Sequence, residues 1–156
     1  MGRDLDKIDL RILEELEANG RLSIVDLAAR INLSNTPCSE RVKRLERTGY
    51  IKKYKAILDM ERLGRAHLTV VQVSLSANGA TSLTEFNRAI KEIPEVESCL
   101  MVAASFDYLL TIRTRDMAHF REVLGEKLNN LPSILQTSSF AVMETVANEA
   151  SYFSRS

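Results

Sequence analysis

The chain has no tryptophan, two cysteines and three prolines among 156 residues. Cys38 and Cys99 stand alone, without CxxC spacing. Neither a disulfide framework nor a zinc site is therefore expected, and both read as small buried apolar residues. His67 and His119 lie apart on different elements, so surface or interface histidines are expected and no metal. GxSxG, HExxH, P-loop and dinucleotide fingerprints are all missing, and Ser105 and Asp107 have no nearby histidine to complete a triad. No cofactor and no enzymatic activity are expected. No apolar run approaches the length of a bilayer span, and residues 1–5 are too polar for a signal peptide. No membrane partner is expected, and the cytoplasm is the expected location.

One sign of charge is not in excess either. The formal net charge is zero, which argues against a general nucleic-acid coat. What is present is a local asymmetry. From Glu40 to Lys55 the acids are Glu40 and Glu46, against Arg41, Lys43, Arg44, Arg47, Lys52, Lys53 and Lys55. The 45% hydrophobic and 27% charged content is that of a globular protein long enough for one medium or two small domains.

That basic run closes the stretch that organises the chain, residues 22–47. Ser23 with Asp26 makes a capping-box-like start, and Ile24, Leu27, Ala28 and Ile31 follow at helical spacing. Asn32 breaks the pattern and tolerates the left-handed conformation of a helix-to-helix turn. Leu33 supplies an apolar plug and Ser34 a cap. Pro37 falls in the first turn of a second helix, whose stripe is Cys38, Val42 and Leu45. The opposite face carries Thr36, Glu40, Lys43, Arg44 and Arg47, with Asn35 and Ser39 at its edge. Small polar groups at the N-terminal end suit base edges, and basic residues at the other end suit phosphates. This is the pattern of a helix-turn-helix whose second helix enters the major groove of double-stranded DNA. The bland alternative is the solvated face of an ordinary helical hairpin.

Before this stretch, Asp6 with Asp9 can cap a first helix, with Ile8, Ile12, Leu13 and Leu16 inward and Asn19-Gly20 at its end. After it, Thr48-Gly49 stops the second helix. Residues 50–58 read as a short basic strand, the wing of a winged helix, with Lys52 and Lys53 as backbone contacts. The expected domains are 1–58, a polar hinge at 59–65 containing Gly64, and 66–156. In the last of these, residues 67–75 form a strand, and Asn78-Gly79 a break. Leu83, Phe86, Ala89, Ile90 and Ile93 make a helix ending before Pro94. Strands over 96–103 and 108–113 are joined by a short link. Met117, Phe120, Val123, Leu124 and Leu128 face inward from a helix over 116–129. A last strand covers 134–143, and the tail after Thr145 is frayed.

The class is therefore α+β. An N-terminal winged helix-turn-helix is followed by a C-terminal ferredoxin-like βαββαβ layer, with both helices on one sheet face. Val71, Val73, Leu75, Leu100, Val102, Leu110, Ile112 and Phe140 cannot all point at two helices, because strand neighbours alternate. The uncovered face predicts self-association to at least a dimer.

The blocks LDKIDLRILEEL, NLSNTPCSERVKRLERTGYIKKY, FDYLL and QTSSFAVME resemble the Lrp/AsnC family of prokaryotic transcriptional regulators over nearly the whole chain. The resemblance implies a DNA-binding helix-turn-helix and a ferredoxin-like effector domain. It also implies dimers that assemble into tetramers or octamers, and amino-acid effectors bound between effector domains. It places Ala104, Ser105, Phe106 and Asp107 of the link at the effector pocket, with Gln136, Thr137 and Ser139 as polar groups of the same site. Asp107 has a plainer reading as a residue capping its own turn. Where many members carry glycine, this chain has Asn32 and Ala104. A glycine-like link would hold Ala104 at positive φ under strain and keep the pocket with weaker affinity; a relaxed link would lose the pocket and leave the protein constitutive or reading a different ligand. Weakened or altered amino-acid binding is the expectation.

The reading is a sequence-specific DNA-binding regulator responding to an amino acid or related small metabolite. The alternative is an architectural DNA-binding protein independent of any effector. An RNA-binding sheet needs surface aromatics on the central strands, which here carry Leu, Met, Val and Ile.

Overall fold

In the computed structural model residues 5–76 and 79–146 are described. They fall into two compact units, with the change between Ile57 and Leu58. Each unit has its own apolar core. The expected break at Asn78 and the tail from residue 147 onward lie outside the described residues. No helix among the described residues is long and apolar enough to cross a membrane.

The first unit is built on α1 (Lys7–Ala18), α2 (Ile24–Ile31) and α3 (Asn35–Arg47). Asp6 caps α1 in a full capping box: its side chain accepts from the Asp9 N–H, and the Asp9 side chain accepts from the Asp6 N–H. Ser23 Oγ accepts from the Asp26 N–H at 3.0 Å and opens α2. Between α2 and α3, Asn32 is left-handed at φ 57°, ψ 47°, as its side chain allows. The Leu33 N–H returns to the Ala28 carbonyl at 2.9 Å and closes the turn. Ile12, Leu27, Ala28, Ile31, Cys38, Val42 and Leu45 are buried together, with Leu33 packed against them. Each fully buried aliphatic side chain of this kind contributes about 1.5–3 kcal/mol. Ser34 sits at the N-cap of α3 as expected but makes no side-chain capping bond.

The second unit runs β1 (His67–Leu75), α4 (Ala80–Ala89), β2 (Val96–Met101), β3 (Tyr108–Thr114), α5 (Met117–Glu122) and β4 (Ile134–Ala141). The sheet order is β2-β3-β1-β4, every neighbouring pair antiparallel. This is the ferredoxin-like arrangement. The expected single helix over 116–129 is in fact α5, a π-helical turn at Val123–Lys127 and a 3₁₀ turn at Leu128–Asn130. Gly125 lies inside the π turn, where a residue of low helix propensity tolerates the wider winding. Met117, expected inward, is 47% exposed in the first turn.

Val71, Val73, Leu75, Leu110 and Ile112 all face the helices, buried with Phe86, Ile90, Phe120, Val123 and Leu128. The other sheet face carries their alternates. Val70 pairs with Phe140 and Leu100 with Leu109, and Leu100 and Phe140 are 56% and 52% exposed. The uncovered apolar face exists: of the strand residues that could not all point at two helices, Val71, Val73, Leu75, Leu110 and Ile112 take the helix side, and Leu100 and Phe140 are left on the open side.

Candidate nucleic-acid interface and effector site

With Cys38, Val42 and Leu45 buried, α3 has to present its opposite face outward. Asn35, Thr36, Glu40, Lys43 and Arg47 are exposed, and Ser39 is half-buried beside them. No ion pair among the described residues engages Lys43 or Arg47. Arg44 is different. It is half-buried, and its guanidinium is ion-paired with Asp9 of α1. Arg41, one turn earlier, donates to Asp9 Oδ1 at 2.8 Å and to Asp6 Oδ2 at 2.6 Å. The Arg41 hydrogen bond and the backbone N–H of Asp9 hold the Asp6 carboxyl below the usual range, the backbone bond being the larger cause.

Residues 50–58 form no strand, contrary to the expected wing strand. A lone extended segment has no ladder to join, and this one turns back on its own helices. The Ile51 N–H donates to the Leu45 carbonyl at 3.2 Å, and the Tyr54 hydroxyl donates to Glu46 Oε1 at 2.9 Å. Burial, then the Glu46 carboxylate, pushes the Tyr54 hydroxyl up to about 12. Lys52 and Lys53 are exposed on this segment. It lines a groove of about 560 Å³ with Leu10, Leu13 and Leu16, and no residue expected at the effector site is among the groove's lining.

The residues expected at the effector site, Ser139 excepted, lie at one end of the sheet. The link 102–107 is closed by the Val102 N–H donating to the Asp107 carbonyl at 3.0 Å. Ala104 and Ser105 are exposed, and Phe106 and Asp107 half-buried. Ala104 is not among the positive-φ residues, which outside glycine are, among the described residues, Asn32 and Ser133. The link therefore takes the relaxed one of the two paths, without positive-φ strain at Ala104. Asp107 does not cap its own turn. Its N–H donates to the Val73 carbonyl at 2.9 Å, and its Oδ2 accepts from the Leu75 N–H at 2.7 Å. On the other side of β1, Thr137 pairs with Val73 and Gln136 with Ser74. The end of β1 thus separates Asp107 from Gln136 and Thr137 by one strand on each side. Ser139 pairs with Val71, further from that end. Thr137 and Ser139 share the parity of the helix-facing residues, and Gln136 that of the open face.

Both units match known protein families. The family profile described as winged helix-turn-helix DNA-binding matches residues 5–52, and that of the Lrp/AsnC ligand binding domain matches residues 68–152. The chain belongs to the Lrp/AsnC family. It is similar to a proline dehydrogenase transcriptional activator of Rhizobium radiobacter, at 48% identity over 92% of each chain. The leucine-responsive regulatory protein of Escherichia coli K12 is 43% identical over 93% of this chain and 88% of its own. Among solved structures, a transcriptional regulator from Neisseria meningitidis in complex with L-Met superposes with TM-score 0.88 at 31% identity, covering 93% of this chain and 94% of that one. An AsnC family transcriptional regulator from Agrobacterium tumefaciens gives 0.89 at 26% identity, with 94% and 95% covered. The protein is a DNA-binding transcriptional regulator, not an enzyme.

For this Lrp/AsnC regulator, sequence reading missed the tie between α1 and α3. A signal was available. Asp9 stands three residues before Ile12 and seven before Leu16, an acid at a core position of the α1 stripe. A buried acid asks for a cation, and the basic run on α3 supplies two. The cluster at Glu95 was missed too. Glu95 is buried at the head of β2, and Lys127 donates to its Oε1 at 2.6 Å. Burial by itself would raise the Glu95 carboxyl, but Lys127, its own backbone N–H and His119 hold it below the usual range.

Proposed function

We propose that this regulator reads its operators with Asn35, Thr36, Ser39 and Glu40, and that Lys43, Arg47, Lys52 and Lys53 hold phosphates. The supporting observation is the exposed face of α3, polar at its N-terminal end and basic at the other. Its working form is a homo-oligomer joined through the open sheet face, where Leu68, Val70, Leu100, Leu109 and Phe140 would otherwise meet water. The site of action is the cytoplasm, where DNA is.

The effector is an amino acid or a related small metabolite held between effector units of neighbouring subunits. Asp107 contributes a carboxylate with Oδ1 facing the ammonium, and the link 104–106 offers backbone N–H groups for the ligand carboxylate. Gln136 completes the polar lining from β4 on the open face, while Thr137 and Ser139, at the helix-facing parity, stand outside it. A ligand that prefers one subunit spacing shifts the oligomer and with it the operators that are occupied. The relatives named for leucine response and for a complex with L-Met support this class of ligand.

Calorimetric titration of the standard amino acids into the full-length protein tests the assignment. At least one should bind to wild type, and Asp107→Ala should abolish the heat. Full binding by Asp107→Ala would move the site elsewhere. Absence of binding by every amino acid, with operator occupancy intact, would favour the architectural reading.

A further inference from the structure

We infer that Asp9 is a positioning residue for the DNA-reading helix, and that it withholds Arg44 from the phosphates. Asp9 is 1% exposed. Its carboxylate accepts from the Asp6 N–H at 3.1 Å and from Arg41 at 2.8 Å, and it is ion-paired with Arg44. Arg41 and Arg44 are three residues apart on α3 and share a face. One buried carboxylate therefore grips α3 at two points, close to one helical turn apart along its axis. Together with the buried stripe of Cys38, Val42 and Leu45, these two contacts hold the roll of the helix about that axis.

That roll decides which cations face outward. Lys43 and Arg47 lie on the exposed side. Arg44 lies between them in sequence, and Arg47 is its i+3 neighbour, so an unpaired Arg44 would stand within reach of the same phosphates. Asp9 therefore removes one cation from the DNA-facing surface. Sequence-independent affinity falls, and the share of binding that depends on base contacts rises. Removing one partner from such a buried charge cluster leaves the other uncompensated, so the pairing holds in the free protein.

The inference rests on α3 being the DNA-reading helix, and the experiment separates the two ideas. Binding of the full-length protein to an operator duplex and to a random duplex is followed by fluorescence anisotropy over a salt series. Each lost phosphate contact makes the plot of log affinity against log salt shallower by about 0.9. Arg47→Ala and Lys43→Ala should each do so. Arg44→Ala should leave the slope at the wild-type value. Asp9→Asn should steepen it by about one contact's worth and narrow the gap between operator and random duplex. The double variant Asp9→Asn with Arg44→Ala should return to the wild-type slope. A purely structural role for Asp9 would weaken binding without steepening the slope. Arg44→Ala keeps Asp9 paired with Arg41, so that arm reads out even where Asp9→Asn fails to fold. A shallower slope for Arg44→Ala, equal to that of Arg47→Ala, would overturn the inference and leave the helix assignment standing. Unchanged slopes for both Arg47→Ala and Lys43→Ala would overturn the helix assignment, and the inference with it.

Discussion

The Asp107 carboxylate accepts a 2.7 Å hydrogen bond from the Leu75 N–H. In the β1–β3 register Val73 faces Tyr108, the first residue of β3. β1 continues to Leu75 after its partner has ended, so the Leu75 N–H has no ladder carbonyl opposite it. Asp107 Oδ2 supplies the missing acceptor. The same side chain therefore ties the link to the sheet and stands at the proposed effector site.

Removing it should be felt in stability as well as in binding. Asp107→Ala leaves the Leu75 N–H without a partner and should cost about 1–3 kcal/mol. Asp107→Asn keeps an acceptor oxygen and should stay within a fraction of that loss. Chemical denaturation of both variants checks this. Equal losses would mean that the bond to Leu75 carries no weight.

Ala104 gives a prediction of opposite sign from the strained case. Its backbone is not at positive φ, so glycine relieves nothing there and only loosens the unfolded chain. Ala104→Gly should destabilise by about 0.4–1 kcal/mol. A rise in the unfolding midpoint would show that the link is strained after all.

The open sheet face predicts assembly that depends on side chains at its centre. Val70 pairs with Phe140 on β4 and with Thr111 on β3. Val70→Asp would place a charge where subunits meet, and the full-length variant should sediment as a smaller species than wild type. The buried helix-side core is untouched, so its circular dichroism should remain folded. Unchanged sedimentation would put the interface elsewhere.

Glu95 sets the direction of an acid limb. Its carboxyl is held below the usual range in the folded protein by Lys127 and His119, against the opposing effect of burial. A depressed folded pKa stabilises above the unfolded value, near 4.3. That contribution is lost as pH falls from there through the folded value. Melting temperatures across this window should therefore drop more steeply for wild type than for Glu95→Gln. Parallel curves would remove Glu95 from the acid response.

Much of this was legible from local chemistry. Asn32 announced the left-handed turn because few other side chains tolerate it, and the turn then fixed where α3 begins. The sheet order followed from two strand–helix–strand units. Which face each strand residue takes was not legible for β1, which carries Leu68 and Val70 at one parity and Val71, Val73 and Leu75 at the other. Alternation alone cannot say which parity is inward until β3 supplies Leu110 and Ile112 as partners. The segment 50–58 has the composition of a strand, yet a strand also needs a neighbour, and composition is silent on that. The ion pair of Arg44 was not legible because its partner Asp9 lies 35 residues away on another helix, beyond any periodicity. The seven residues expected at the effector site illustrate the same limit. The structure brings Asp107, Gln136 and Thr137 to one end of β1 and leaves Ser139 further along.

The central claim is that α3 selects DNA sequence through the polar groups at its N-terminal end. Selection of bound duplexes from a random library by wild type and by Thr36→Ala tests it most directly. The account predicts a defined preferred sequence for wild type, altered at one or two positions in each half-site by Thr36→Ala. Identical preferences for the two proteins, or no enrichment by wild type at all, would contradict it.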